Sequence, residues 1–174
     1  MERRRNVFFV GPMGAGKSTV GKIVAEYLGL EFLDSDRVIE ERTGADIAWI
    51  FDVEGEEGFR NREEAVIDEL TARAGVVVAT GGGAILRSEN RKRLISRGTA
   101  IYLETPLSQQ VERTSADKRR PLLREGEPQE VLGRLQEERD PLYREVADLI
   151  FRADKRSARA LAQEIVRHLR GAES

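Results

Sequence analysis

The chain contains no cysteine, and this absence removes several kinds of chemistry at once. Without thiols the protein can form no disulfide, no thiolate zinc site and no cysteine nucleophile. The single histidine, His168, stands near the C-terminus, where we expect a surface residue rather than a ligand or a base. No apolar run approaches the roughly 18–20 residues that a membrane-spanning helix needs. We therefore expect a cytoplasmic protein without a membrane partner.

The chain also lacks a strong excess of positive or negative charge, and no aromatic residues are interleaved with its basic residues. The net charge is −2 and aromatic side chains make up 6% of the chain, which does not suit a nucleic-acid-binding protein. Charge is unevenly spread, with an acidic stretch from Glu54 to Glu69 and a basic one from Arg113 to Arg124, and such runs are usually solvated helix faces. The 174 residues, 40% of them hydrophobic, fit one domain over residues 1–174.

What the sequence does contain is a complete phosphate-binding loop pattern. Residues 11–18, Gly-Pro-Met-Gly-Ala-Gly-Lys-Ser, match G-x-x-x-x-G-K-[ST] at every fixed position. The pattern follows an apolar run at 6–10 that predicts a buried strand, and precedes helical spacing at 19–28. An ordinary glycine turn before a helix is the alternative, and the strand–loop–helix context disfavours it.

Each part of this loop has a physical task in binding phosphate. Gly11, Gly14 and Gly16 permit backbone conformations closed to other residues and let the chain approach a ligand closely. The N–H groups of the loop and of the helix that begins near Gly16 can then point at an anion. Lys17 supplies a charge for the β- and γ-phosphates, and Ser18 supplies a hydroxyl for Mg²⁺.

Strand-like and helix-like segments alternate along the whole chain. The apolar patterns predict strands at 6–10, 30–33, 76–79, 99–103 and 149–151. They predict helices at 19–28, 36–43, 56–73, 89–97, 129–146 and 158–169, and another helix opened by Pro106. A short helical turn is predicted at 47–51, and Asp36 is the predicted cap of the second helix. This alternation is typical of a three-layer α/β fold with a parallel sheet, in which ligands lie at the carboxyl ends of the strands.

Two groups of residues should meet the phosphate loop at that edge. Asp34 and Asp36 follow the second strand, and Gly81–Gly83 follow the third. One aspartate can hold Mg²⁺ through water and the other can accept a hydroxyl proton, although helix capping is an equal alternative for one of them. The three glycines allow a small ligand to lie against the backbone, or form only a tight turn.

Arginines supply the remaining candidates. Taken separately, Arg60 and Arg139 are most simply interpreted as members of surface salt bridges. If both face one crevice, however, they could form a paired clamp that binds a carboxylate through bidentate hydrogen bonds. The charged segment 113–124 could be a lid that brings Arg119 or Arg120 to the phosphates, or an ordinary exposed loop.

These motifs together resemble the shikimate kinase family. The matching features are Gly11–Thr19, Asp34–Asp36, Ile50–Glu63, Thr80–Gly83, Arg120–Leu123 and Arg139–Tyr143. They follow the family's order over most of the chain. The resemblance implies a P-loop kinase fold like that of nucleoside monophosphate kinases, with a five-stranded parallel sheet, a substrate-binding region at about 34–60 and a lid at about 113–124. It also implies ATP-dependent phosphorylation of the 3-hydroxyl of shikimate, in chorismate biosynthesis.

On the acceptor side, the resemblance gives each matching position a role. Asp36 would bind the substrate hydroxyls and serve as the candidate base. Arg60 and Arg139 would bind the shikimate carboxylate, and Gly82 with its neighbours Gly81 and Gly83 would contact the ring.

On the donor side, the resemblance implies one Mg²⁺ per subunit, held by Ser18 and, through water, by Asp34. Lys17 and Arg120 would stabilise the transferring group, and adenine would lie between Arg113 and the loop that contains Arg156. The strand at 76–79 ends without the aspartate that contacts the metal in many other phosphate-loop enzymes, in agreement with the family. The carboxylate that contacts the metal would therefore be that of Asp34. The ATP-binding residues would be Gly14, Ala15, Gly16, Lys17, Ser18, Thr19, Arg113, Arg120 and Arg156.

Other functions remain as alternatives. A kinase of another small acid, such as gluconate, would share the loop, although Phe59-Arg60 and Thr80–Gly83 argue against it. A GTPase switch usually carries Asn-Lys-x-Asp, and no asparagine of this chain is followed by lysine. A non-catalytic nucleotide binder is disfavoured by the intact candidate residues. We expect a monomer with ATP and shikimate as its partners.

Overall fold

The computed structural model describes residues 5–114, 127–154 and 156–171. Strands and helices alternate as the sequence predicts. The strands are β1 (Val7–Val10), β2 (Glu31–Asp34), β3 (Val76–Ala79), β4 (Thr99–Glu104) and β5 (Leu149–Arg152). The helices are α1 (Lys17–Leu28), α2 (Ser35–Thr43), α3 (Ile47–Ala72), α4 (Ser88–Arg97), α5 (Leu107–Thr114), α6 (Pro128–Val146) and α7 (Ala158–Gly171), with a short 3-10 turn at Ala84–Leu86.

The five strands form one parallel sheet in the order β2-β3-β1-β4-β5, which confirms the predicted architecture. Val7 pairs with Val77 on one side and with Thr99 on the other, so β1 lies at the centre. Because all strands run the same way, the carboxyl ends of β1, β2 and β3 meet at one edge. The phosphate loop, Asp34, Asp36 and Gly81–Gly83 therefore all lie at this edge.

Helices cover both faces of the sheet and create two cores. Phe8 and Phe9 are fully buried but belong to opposite faces, since successive side chains of a strand alternate. Phe9 packs with α1 and α7 residues such as Val24 and Ile165, and Phe8 packs with α3 and α4 residues such as Leu70. The predicted three-layer arrangement is therefore confirmed.

The cap of α2 is a correction to the sequence prediction. Asp34, and not Asp36, occupies the N-cap position, where its Oδ1 accepts hydrogen bonds from the N–H groups of Asp36 at 3.0 Å and Arg37 at 3.2 Å. β2 passes into α2 without a loop, so the last strand residue becomes the cap. Asp36 therefore lies in the first helical turn, and it lines the crevice at this edge of the sheet.

The short helical turn predicted at 47–51 and the helix predicted at 56–73 both lie within α3, on either side of a break at Gly55. Gly55 separates two helical segments there, with φ 74° and ψ 175°. A side chain disfavours this conformation, which explains why glycine stands at the kink.

Three further expectations concern the periphery. His168 is exposed, as predicted, and contacts the Phe151 ring edge-on at 5.2 Å between centroids. None of the helices in the described ranges is both long enough and apolar enough to cross a membrane. Of the predicted lid, Arg113 and Thr114 are described, while Arg119, Arg120 and the remainder lie outside the described residues.

Candidate active site

A cavity of about 630 Å³ lies at the carboxyl edge of β1, β2 and β3. The site residues expected from the sequence line it, apart from Arg120, which lies outside the described residues. They are Gly14, Ala15, Gly16, Lys17, Ser18, Thr19, Asp34, Asp36, Arg60, Gly81, Gly82, Gly83, Arg113, Arg139 and Arg156. Residues far apart in sequence meet here because three parallel strands end side by side.

The phosphate loop has the geometry that its pattern predicts. Gly16 caps α1 with φ 85°, a left-handed conformation suited to glycine, and the helix begins at Lys17. The Lys17 Nζ donates to the carbonyl oxygens of Gly11 at 2.6 Å and Pro12 at 2.8 Å. The ammonium group is thus held across the loop, at the end of α1 whose free N–H groups favour an anion.

Ser18 and Asp34 meet beside this loop, where the Ser18 hydroxyl donates to Asp34 Oδ2. The other Asp34 oxygen caps α2. Capping and a role in the site are therefore compatible, since each uses a different oxygen of one carboxylate. A hydroxyl and one carboxylate fit Mg²⁺, which keeps several waters, and the described residues contain no larger cluster of acidic or histidine ligands.

Asp36 faces the glycine loop that follows β3. A Cβ added at Gly81 would lie 2.7 Å from Asp36 Oδ1 and 3.1 Å from Glu63 Oε2, so a side chain at this position would collide with the carboxylates. The Gly81 N–H donates to the Ser35 hydroxyl at 3.3 Å. Gly81 therefore lets the two carboxylates approach the loop closely, and Asp36 lies where a ligand hydroxyl resting on the loop could reach it.

Arg60 is buried, with 7% exposure, and is not the surface salt bridge that was the alternative. Its Nη1 donates to Glu63 at 2.9 Å, and its Cζ lies 5.1 Å from the centroid of the Phe59 ring. A Cβ at Gly83 would lie 2.3 Å from Arg60 Nη2, so a side chain here would displace the guanidinium. Within the described part of the chain, the buried Nε of Arg60 has no hydrogen-bond partner, which leaves a donor for a ligand.

Glu63 belongs to the site, although sequence reasoning gave it no role there. Its side chain is 1% exposed and pairs with Arg60. Burial raises the pKa of the Glu63 carboxyl, while the nearby charges of Arg60 and Arg139 limit the rise. The spacing of three residues from Arg60, which places both on one helix face, was the available signal.

Arg139 completes the arginine pair from α6. It is buried, with 5% exposure, and its Nη1 lies 3.5 Å from the position of a Cβ at Gly82. Arg60 and Arg139 thus flank the same glycine loop from two different helices. Two buried guanidinium groups around one small cavity can grip a carboxylate through paired hydrogen bonds.

Arg113 and Arg156 differ from this pair because both are exposed. Arg113 Nη1 donates to the carbonyl of Gly14 at 2.9 Å and so touches the phosphate loop directly. Arg156 is bound within its own region, where its guanidinium contacts Asp154, Glu164 and the carbonyl of Arg152. Both line the outer part of the cavity.

Comparison with known proteins gives a consistent result. A family model described as "Shikimate kinase" matches residues 13–170. Proteins named shikimate kinase from Vibrio cholerae and Pseudoalteromonas translucida are each 59% identical, over 169 and 170 residues, covering 97% of this chain and 97% and 99% of theirs.

Solved structures agree. A shikimate kinase from Acinetobacter baumannii in complex with shikimate is 52% identical with a TM-score of 0.95, covering 98% of this chain and 96% of its own. One from Aquifex aeolicus is 33% identical with a TM-score of 0.84, covering 97% and 98%. A gluconokinase from Sinorhizobium meliloti, at 16% identity and a TM-score of 0.54 with full coverage of both chains, shares the fold alone.

Proposed function

The chain belongs to the shikimate kinase family, and we propose that the cavity described above carries that family's reaction. The enzyme phosphorylates shikimate with ATP and releases ADP, as a step of aromatic amino-acid biosynthesis; the acceptor group in our proposal is the 3-hydroxyl. The observation that carries the assignment of residues is the meeting of a phosphate loop, a carboxylate and two buried arginines in one cavity of about 630 Å³.

The acceptor side of the cavity suits a small hydroxylated acid. Arg60 and Arg139 bind the carboxylate, and the backbone of Gly81–Gly83 lies against the ring. Asp36 receives the reacting hydroxyl, which it orients and whose proton it can accept. Burial of the two arginines supports this assignment, because a desolvated guanidinium gains most from a bound anion.

The donor side holds ATP. The N–H groups of Gly14–Thr19 surround the phosphates, and Lys17 neutralises charge that develops during in-line transfer. Arg113 and Arg156 flank the adenine, and Arg120 stays a prediction from the sequence. Positioning and charge neutralisation carry the catalysis, since phosphoryl transfer asks little covalent chemistry of the protein.

Mg²⁺ is the implied metal, one ion per subunit. The Ser18 hydroxyl and the Asp34 carboxylate would hold it, the latter through water. When bound, the ion neutralises the β- and γ-phosphate oxygens. The adjacency of these two side chains supports the assignment.

A monomeric state stays a prediction from the sequence. A cytoplasmic location stays a prediction. For gluconate as the acceptor, the gluconokinase comparison adds only a shared fold.

The test is ADP release from Mg–ATP with shikimate, quinate, gluconate, nucleoside monophosphates or no acceptor. We expect release with shikimate, and 3-phosphorylated shikimate as the product by ³¹P NMR. Release with only gluconate or a nucleotide would overturn the substrate, and release that needs no acceptor would overturn the kinase assignment.

A further inference from the structure

Tyr143 connects α6 to the glycine loop of the cavity. It follows Arg139 by four residues, so both lie on one face of the helix. Its side chain is 1% exposed, and its hydroxyl donates to the carbonyl oxygen of Gly82 at 2.6 Å. The same helix face thus supplies an arginine beside Gly82 and a hydrogen bond to the Gly82 backbone.

The Tyr143 hydroxyl keeps its proton, and so can donate a hydrogen bond, at any pH near neutrality. Burial raises the pKa of the Tyr143 phenol to about 12, and the neighbouring Arg139 charge limits the rise. The phenol therefore keeps its proton. The hydrogen bond to Gly82 does not depend on pH where the enzyme works.

This bond fixes the orientation of one peptide group. The Gly82–Gly83 peptide is trans, so its N–H points opposite to the carbonyl that Tyr143 holds. In the described ranges, the N–H groups of Gly82 and Gly83 donate to no other residue. Both donors remain for an oxygen of a ligand in the cavity.

The glycine loop depends on such anchors because it has no side chains to pack. Glycine has the widest conformational freedom of all residues, and ordering it costs the most entropy. From the part of the chain that the structure describes, two side chains hydrogen-bond to this loop: Ser35 accepts from the Gly81 N–H at 3.3 Å, and Tyr143 donates to the Gly82 carbonyl at 2.6 Å. The Tyr143 bond is the shorter and comes from a fully buried residue.

We propose that Tyr143 is a positioning residue for the acceptor: its hydroxyl orients the Gly82–Gly83 peptide so that the Gly83 N–H is presented to shikimate. This inference rests on the proposed function. Tyr143 acts through the peptide, and its loss should weaken shikimate binding more than ATP binding, because the phosphate loop is held by other contacts.

Tyr143→Phe tests this, and the chain supplies a matched control in Tyr102→Phe. Tyr102 is fully buried and its ring packs on Tyr143 with centroids 4.9 Å apart. Its hydroxyl donates to Asp140 Oδ1 at 2.8 Å and makes no contact with the glycine loop. Each variant removes one buried hydroxyl from the same ring pair.

The measurements are the Kd for shikimate by calorimetry, KM for both substrates, kcat and Tm. We expect Tyr143→Phe to raise Kd and KM for shikimate about tenfold, the size expected for loss of one well-placed hydrogen bond. KM for ATP should stay within about twofold, and Tyr102→Phe should leave Kd for shikimate within about twofold. Wild-type Kd in Tyr143→Phe, or equal weakening in both variants, would overturn the inference.

A second measurement needs no loss of the hydroxyl and applies even where Tyr143→Phe fails to fold. The chain has three tyrosines, which 3-fluorotyrosine labels for ¹⁹F NMR. Tyr27→Phe and Tyr102→Phe assign the resonances. Saturating shikimate should shift the Tyr143 resonance and leave that of Tyr27 in place, and an unmoved Tyr143 resonance would contradict the proposal.

The wild-type protein in the same assays separates the two claims. Wild type that binds and phosphorylates shikimate, together with an unaffected Tyr143→Phe, refutes the role of Tyr143 alone. Wild type that neither binds nor phosphorylates shikimate refutes the proposed function and, with it, this inference.

Discussion

Arg60 and Glu63 form an ion pair inside the protein, with 2.9 Å between Nη1 and Oε1. They are three residues apart on the second segment of α3, and their side chains are only 9% and 1% exposed. Removing two charges from water costs several kcal/mol, so such a pair is weak support for stability by itself. It does fix the guanidinium in front of the glycine loop, and this suggests that the pair serves ligand binding.

Arg60→Lys should weaken shikimate binding although the charge remains. Lysine offers a point charge in place of a planar fork, so paired hydrogen bonds to a carboxylate are lost. We expect KM for shikimate to rise about tenfold or more, with little change in KM for ATP. Arg62→Lys is the control, because Arg62 is half exposed and pairs with Glu54. An unchanged KM for shikimate in Arg60→Lys would refute the carboxylate clamp.

Glu63→Gln should change how stability depends on pH. Burial raises the pKa of Glu63 above its ordinary value of 4.5. At pH values between 4.5, the pKa in the unfolded state, and the raised pKa of the folded state, the folded state binds more protons than the unfolded state. The free energy of unfolding therefore falls as pH rises through this range. Glutamine removes this titration, and the difference in unfolding free energy, variant minus wild type, should therefore rise with pH above about 4.5.

Urea denaturation from about pH 5 to pH 8 measures that difference. Asp68→Asn is the control, because a hydrogen bond from Arg97 lowers the pKa of Asp68 from 3.8 and confines its titration to lower pH. Its difference curve should be flat in this range. A flat or falling curve for Glu63→Gln would contradict the assignment.

Asp36→Asn should lower kcat by roughly 10²-fold or more, the range typical of a lost general base. Asparagine can still accept a hydrogen bond but cannot take the proton. KM for ATP should change little, because the phosphate loop is untouched. Asp46→Asn provides the control: Asp46 lines the cavity and caps α3, and asparagine caps equally well. Near-normal turnover by Asp36→Asn would remove Asp36 from the catalytic role.

Gly55→Ala should destabilise the protein through the backbone alone. Among the described residues, no atom outside the neighbouring backbone lies within 4 Å of a Cβ at Gly55, so space is available. The combination of φ 74° with ψ 175°, however, is a region essentially restricted to glycine. We expect a loss of about 1–3 kcal/mol in urea unfolding. Gly44→Ala is the comparison, with φ 70° and ψ 15° and equally open space. Alanine tolerates the left-handed conformation of Gly44 better than the conformation of Gly55. An equal loss of unfolding free energy in the two variants would therefore contradict the prediction.

Local patterns predicted much of the fold and of the site's membership. Fixed motif spacing identified Lys17 and Ser18, and apolar periodicity placed the strands within a few residues of their bounds. The patterns failed at the start of α2, where Asp34 and not Asp36 is the cap because β2 runs directly into the helix. They succeeded at Gly55, which separates two helical segments as the sequence predicts.

The sequence by itself determined the chemistry: a phosphate loop, two aspartates after one strand, three glycines after another, and a family to which they belong. Only the tertiary structure decided how these groups act together. Arg60 and Arg139, which the sequence offered as surface charges, are buried and line one cavity. Folding also placed the Tyr143 hydroxyl against the Gly82 carbonyl, 61 residues away in sequence. The physical reason is that strand order and burial arise from non-local pairing, which local spacing does not encode.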